Sequence, residues 1–329
     1  MAAEVVRRAG SASARTLICG SLALDTIMVF PDRFARHILP EQAHVLSVSF
    51  QIGEMRREWG GTAGNIAYNL KALGGDPVVM ATLGDDGQTY VERMRTLGIG
   101  TEGVRIVPGT YTGQAFIITD LDDNQITAFH PGAMNSAHLN TVPTARGISL
   151  GIIAPDGRDG MLQHAQQFAQ AGIPFLFDPG QGLPMFDGKE LRRFVEQASW
   201  VAVNEYEWHL LQSRTDMSIA DVTAQVKALI ITKGAEGSSI HLGDRREIIA
   251  PAAPRAVVDP TGCGDAYRAG IIHGLMHGLS WPVTGRIASL MGALKIEVRG
   301  TQNHRFTLQE FAARYEQSFG QPFELGTAR

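Results

Sequence analysis

The chain has 329 residues, 44% hydrophobic and 19% charged, an ordinary globular balance that permits a large core and excludes a disordered chain. Lys and Arg total 29 against 33 Asp and Glu, a net charge of −4, which gives no basic excess for nucleic acid or an anionic membrane. Cys19 and Cys263 cannot build a disulfide framework, and no apolar run is long enough to span a bilayer, so the expected setting is cytoplasmic.

In chain order, Arg7-Arg8 followed by the apolar stretch 16–24 imitates a twin-arginine export signal. Asp25 ends the run without a clean cleavage site, so residues 1–14 read as a flexible tail and 15–24 as a first buried strand. The remainder, 15–329, reads as one domain without repeats or linkers. Residues 26–59 lack helical period, whereas 62–73 carries Ile66, Leu70 and Leu73 on one face of a helix. A strand is expected at 77–82 and a helical stretch at Tyr90–Leu97. The G-x-G-x-x-G of Gly98–Gly103 then follows a helix rather than a strand, so it reads as a helix C-cap and turn.

Thr112–His130 reads as a hairpin around Asp120-Leu-Asp-Asp-Asn124. That turn imitates a calcium loop but lacks its glycine and closing Glu. Strands are expected at 148–153, 173–177, 199–203 and 228–232, with a strand pair near 238–250. Helices are expected at 160–171, 205–213, 218–228, 264–279, 283–297 and 307–319. This alternation predicts an α/β fold: a doubly wound, mostly parallel sheet with helices on both faces. The segments 26–59 and 107–132 would add a small β-sheet lid. His273 and His277 lie one helical turn apart but lack supporting ligands, and they read as ordinary helix residues. Neither a P-loop nor an H-R-D motif is present.

Three segments carry chemistry. In Ala256–Gly270 an apolar strand end runs through Asp-Pro and a glycine-bracketed turn into a helix. The backbone N–H groups of Gly262, Cys263 and Gly264 would then meet at a positive helix N-terminus, a ready anion site. Asp265 there reads either as a plain N-cap or as a base that takes a proton from a hydroxyl attacking a phosphoryl group. Gly60 and Gly61 open the helix at 62–73, and Asn65 in its first turn would read vicinal hydroxyls together with the glycine backbone. Trp200–Trp208 is a strand ending in Asn204, followed by Glu205 and Glu207, at the end of a parallel strand where ligands bind.

Together these segments resemble the PfkB/ribokinase family of sugar and nucleoside kinases over residues 15–319. Gly60-Gly61 with Asn65 is similar to the family's N-terminal signature, and Asp259-Pro-Thr-Gly-Cys-Gly-Asp265 to its C-terminal one, with Cys263 in place of the usual alanine. Asn204-Glu-Tyr-Glu207 is similar to its N-x-x-E element, and Thr232-Lys-Gly-Ala-Glu-Gly237 to its T-x-G-x-x-G turn. The resemblance implies a ribokinase-like core with a β lid, ATP and magnesium, and transfer of the γ-phosphoryl group to a primary hydroxyl. It implies Asp265 as base and Gly262, Cys263 and Gly264 as anion hole, with Asp25, Gly60, Gly61 and Asn65 on sugar hydroxyls. Asn204 and Glu207 would organise magnesium and phosphate through water, and Thr232, Lys233, Gly234 and Gly237 would lie along ATP. Asp259, Thr261 and Gly300 are similar to a monovalent-cation loop, which implies potassium.

The acceptor is read from the lid, where Gln114, Phe116 and Phe129 stand. The lid sequence 119–134 resembles that of bacterial adenosine kinases of the family, and a base would stack on the two rings. Adenosine is therefore the expected acceptor, with a ribose or fructose kinase as the alternative and a silent nucleotide- or sugar-binding sensor as an alternative of another class. No nucleic-acid or membrane partner is expected, and the chain would be a monomer or a homodimer through the lid.

Overall fold

Short β-branched runs at β1 (Arg15–Cys19), β4 (Pro77–Leu83), β8 (Ile148–Ile153), β10 (Trp200–Asn204) and β11 (Ala228–Thr232) are buried on both faces, as parallel central strands must be. They form the centre of one sheet in a computed structural model that describes residues 14–38, 47–122, 124–143 and 147–323. Among the described residues nine strands make up this sheet, in the order β13-β12-β11-β10-β9-β8-β1-β4-β5. The remaining members are β5 (Gly100–Ile106), β9 (Phe175–Phe177), β12 (Ser238–Leu242) and β13 (Arg245–Ile249), and only β12 runs against the others, pairing antiparallel with both β11 and β13.

Period-two alternation sends successive side chains to opposite layers. Ile18 and Ile152 face α1 (Thr62–Ala72), α2 (Gln88–Thr96), α7 (Cys263–Met276) and α8 (Trp281–Ile296). Leu17, Cys19 and Ile153 face Phe168 of α3 (Arg158–Ala171), Phe194 of α4 (Gly188–Gln197) and Trp208 of α5 (Glu205–Thr215). Each fully buried aliphatic of this kind contributes about 1.5–3 kcal/mol. α6 (Ile219–Thr223) and α9 (Leu308–Phe319) complete the helices, α9 packing Phe311 and Tyr315 on Leu290 and Met291 of α8. β1 sits between β4 and β8, so the strand order reverses there, and the carboxyl end of such a switch point is where ligands bind.

The second sheet is the small one expected, in the order β3-β2-β6-β7, from β2 (Ala23–Val29), β3 (Glu54–Gly60), β6 (Gly113–Thr119) and β7 (Gln125–His130). The hairpin turn holds: Asp120 accepts hydrogen bonds from the backbone N–H of Phe34, Asp122 and Asn124.

Several boundaries differ from expectation. Residues 15–24 are not one strand, because Ser21 turns its N–H to Pro155 O and the chain re-forms as β2 in the lid. The segment 26–59 contributes β2 and β3; residues 39–46 of it, and residues 1–13 of the expected tail, lie outside the described residues. Gly98 is the C-cap turn anticipated (φ +70°), but Gly100 to Gly103 already belong to edge strand β5. The helix expected over 218–228 ends at Thr223, since Ala228 opens β11.

Candidate active site

The start of α1 is shaped by two glycines. Gly61 has φ +85°, and a Cβ there would lie 2.5 Å from Ser21 O. A Cβ on Gly60 would lie 2.5 Å from the Asp25 carboxylate, so glycine is what lets Asp25 lie over the helix entrance. Burial and the nearby Glu58 and Asp259 carboxylates push Asp25 up to about 6.

Asn65 does not reach toward the glycine backbone as expected. Its Nδ2 donates to Asp265 Oδ2 at 2.8 Å, and its Oδ1 accepts from Gln302 Nε2 at 3.1 Å. Gln302 also donates to Tyr90 Oη at 2.7 Å, and Tyr90 donates to Gly60 O at 2.7 Å. A continuous chain of hydrogen bonds thus runs from the helix entrance to the carboxylate. Gln302 and Tyr90 were not anticipated, because nothing local marks them.

Asp265 occupies the first turn of α7, whose N-cap Gly262 takes φ +80°. The Cys263 N–H donates back to Pro260 O at 3.2 Å, so the anion turn loses one of its three expected donors. Among the described residues, the N–H groups of Gly262 and Gly264 have no backbone acceptor. Crowding by protein atoms pushes Asp265 up to about 7, with the Asp178 carboxylate adding to the rise and the Asn65 hydrogen bond and Arg268 opposing it. A carboxylate with that affinity is matched to taking a proton near neutral pH.

One turn further along α7, buried Arg268 lies 3.1 Å from Asp178 and 3.9 Å from Glu207. Glu207 is held by a capping box: Asn204 N and Nδ2 both donate to its carboxylate at 2.8 Å, and Glu207 N donates to Asn204 Oδ1. Burial and Asp178 raise Glu207, and Arg268 lowers it. Among the described residues no three acidic, His or Cys side chains converge as a metal cage.

Beside the anion turn lies a cavity of about 620 Å³, lined by Thr232, Gly234, Gly237, Cys263, Gly264 and Tyr267 among mostly apolar neighbours such as Ala252, Val257 and Ile296. The structure thus joins the T-x-G-x-x-G turn to the Gly262–Gly264 turn, although they are distant in sequence. Lys233 is not part of this lining; its ammonium pairs with Glu205 at 3.1 Å.

Lid register sorts the acceptor candidates. Glu58, Asp25, Ala115 and Phe129 share one row and therefore one face. That face turns toward the α7 side: Glu58 accepts from Asn303, and Asp259 lies close enough to raise Asp25. Phe116 pairs with Thr26, one residue out of phase, and projects from the opposite face. Gln114 shares that opposite face and donates to Asp86 at 2.9 Å. Both therefore lie on the lid face away from Asp25, for the same reason of alternation.

The expected cation loop is also different. Asp259 accepts from the N–H of Thr261 and of Gly300, each at 2.9 Å. The ammonium of fully buried Lys295 donates to Asp259 O at 2.7 Å and to Val298 O at 3.1 Å. The Asp259 and Val298 carbonyl oxygens are thus already hydrogen-bonded to this side chain.

The sequence pattern of the pfkB family carbohydrate kinase matches residues 25–307. A nucleoside kinase of Methanocaldococcus jannaschii is 30% identical over 278 residues, covering 82% of this chain and 89% of its own. The structure of Burkholderia thailandensis nucleoside kinase in complex with inosine has a TM-score of 0.84 and 52% identity, covering 93% of this chain and 99% of that one. The crystal structure of the M. jannaschii nucleoside kinase has a TM-score of 0.85 and 28% identity, covering 94% and 100%. No helix among the described residues is long and apolar enough to cross a membrane.

Proposed function

This chain belongs to the pfkB family of carbohydrate kinases, and on that premise we propose that it transfers the γ-phosphoryl group of MgATP to the 5′-hydroxyl of a purine nucleoside, adenosine first. The observation that carries the nucleoside reading is the shared lid face of Asp25 and Phe129, with small Ala115 between them. Two strand spacings put their backbones about 9–10 Å apart, which suits a ribose held at one end and a flat base at the other. The relatives described as nucleoside kinases, one of them solved with inosine, support the same acceptor class.

In the reaction, Asp25 accepts hydrogen bonds from ribose hydroxyls beside the Gly60–Gly61 backbone. Asp265 takes the 5′-hydroxyl proton as the new O–P bond forms and the bond to the leaving β-phosphate breaks, releasing ADP. The Gly262 and Gly264 N–H groups and the positive end of α7 face the transferred charge. The apolar cavity beside them takes the ATP base and ribose. Phe116 lies with Met55 and Ile126 on the lid face opposite Asp25, and that face is read as meeting a second copy of the lid rather than the acceptor.

The test is ADP formation with adenosine, inosine, ribose and fructose at equal concentrations. Nucleosides should give the higher kcat/KM. A preference for ribose or fructose would return the chain to the sugar kinases, and no turnover with any acceptor would favour a binding sensor.

A further inference from the structure

We propose that Lys295 is a built-in monovalent cation that holds the phosphoryl-binding turn in shape, so that this enzyme works without potassium. Lys295 lies in the last turn of α8 with no exposed surface, and its ammonium bonds the carbonyls of Asp259 and Val298. Asp259 Oδ2 is 3.9 Å away and completes a charge balance that a buried ammonium requires. Backbone carbonyls around a single positive charge are also the surroundings that replace the hydration shell of potassium. Here the charge is covalently supplied.

The connection to chemistry is short. Asp259 is tied to Thr261 and Gly300 through its carboxylate and to Lys295 through its carbonyl, and the N–H groups of Val258 and Asp259 donate to Ile296 O. Thr261 leads directly into Gly262, whose left-handed backbone (φ +80°) opens the turn. Removing the ammonium leaves two carbonyls facing one another and the Asp259 carboxylate without its cation. The turn should then loosen. Lys295 is accordingly a positioning residue that acts through Asp259, and the inference rests on reading the Gly262–Gly264 turn as the phosphoryl site.

The test compares potassium with tetramethylammonium at constant ionic strength. Wild-type kcat should change by less than about twofold. Lys295→Ala, which removes the ammonium and leaves its space, should lose about tenfold or more in kcat and regain part of it, saturably, with potassium or ammonium but not lithium. If Lys295→Ala does not fold, Lys295→Gln is read the same way. A wild type activated severalfold by potassium overturns the inference, as does a folded variant whose rate ignores both the substitution and the cation. Potassium should also raise the thermal midpoint of Lys295→Ala and not that of the wild type. That readout survives if the acceptor has been misassigned, so failure of the cation idea and failure of the kinase reading remain distinguishable.

Discussion

Asn65 donates a 2.8 Å hydrogen bond to Asp265, joining the first turn of α1 to the first turn of α7 across 200 residues of sequence. Both helices begin at glycines with positive φ, Gly61 and Gly262, and their first turns meet at this bond. Two positive helix ends facing one carboxylate would ordinarily lower its proton affinity. Asp265 is nevertheless raised, because crowding by protein atoms and the charge of Asp178 outweigh the hydrogen bond from Asn65 and the charge of Arg268. The pair thus holds a carboxylate that is ionised only in part at neutral pH, oriented by an amide fixed in turn by Gln302.

Asp265→Asn keeps the shape of this pair and removes the base. We expect kcat to fall by about 10²–10⁴-fold, with ATP affinity nearly unchanged because the ATP cavity keeps its lining. Steady-state kinetics and calorimetric ATP binding check this. A variant retaining a tenth of the wild-type kcat would remove Asp265 from the base role.

The pH profile should carry the same signature. Asp265 sits at about 7 and must be ionised to accept a proton, so kcat/KM should fall as pH drops through 7. Asp25 at about 6 must be ionised to hold hydroxyls, so the fall should steepen below 6. Asp265→Asn should erase the upper limb from the residual rate. A flat profile between pH 6 and pH 7 would contradict both assignments.

Stability should move the other way. A carboxylate whose folded affinity for protons is raised stabilises the fold when protonated, and that contribution is lost as pH rises through its folded value. At pH values above 7 the ionised Asp265 therefore costs stability, and Asp265→Asn should melt several degrees higher than the wild type. Near pH 4, where the wild-type group is already protonated, the gain should vanish. Equal melting gains at both pH values would show that the raised affinity is not the cause.

The signatures at Gly60–Asn65 and Asp259–Asp265 were legible in sequence because turn chemistry is local: a glycine at a helix start and a following carboxylate are neighbours in the chain. The parallel core was legible too, since its strands are continuous apolar runs. The lid strands β2 and β3 were not, because Glu54-Met-Arg-Arg-Glu-Trp-Gly60 is half exposed and has no clean alternation. Helix α4 was missed although Asp187 and Glu190 spell its capping box. Tyr90, Asp178, Arg268, Lys295 and Gln302 acquire their roles only where distant segments meet. No spacing in the chain announces that.

Cys263 tests whether the anion turn works through backbone or side chain. Its N–H is spent on Pro260 O, and burial holds its thiol up at about 11, far from a reactive thiolate. Cys263→Ala should therefore keep kcat within about twofold, and iodoacetamide should inactivate the wild type slowly near neutral pH. A loss beyond tenfold in Cys263→Ala would give the sulfur a role that the geometry does not.

The acceptor prediction turns on one residue of register. Phe129 lies in the row of Asp25, while Phe116 lies one residue out of phase and on the other face. Stacking of a base on an aromatic ring contributes about 1–3 kcal/mol, roughly ten- to a hundredfold in binding. Phe129→Ala should cost adenosine and inosine that much in kcat/KM and leave ribose, which has no base, nearly unaffected. Phe116→Ala should spare all three acceptors, because its ring faces away from Asp25. Losing exposed Phe116 is also inexpensive for the fold, so a fall in nucleoside activity there could not be assigned to unfolding. If Phe116→Ala is the damaging change and Phe129→Ala is silent, the acceptor enters from the opposite lid face and the placement of Asp25 on ribose fails with it.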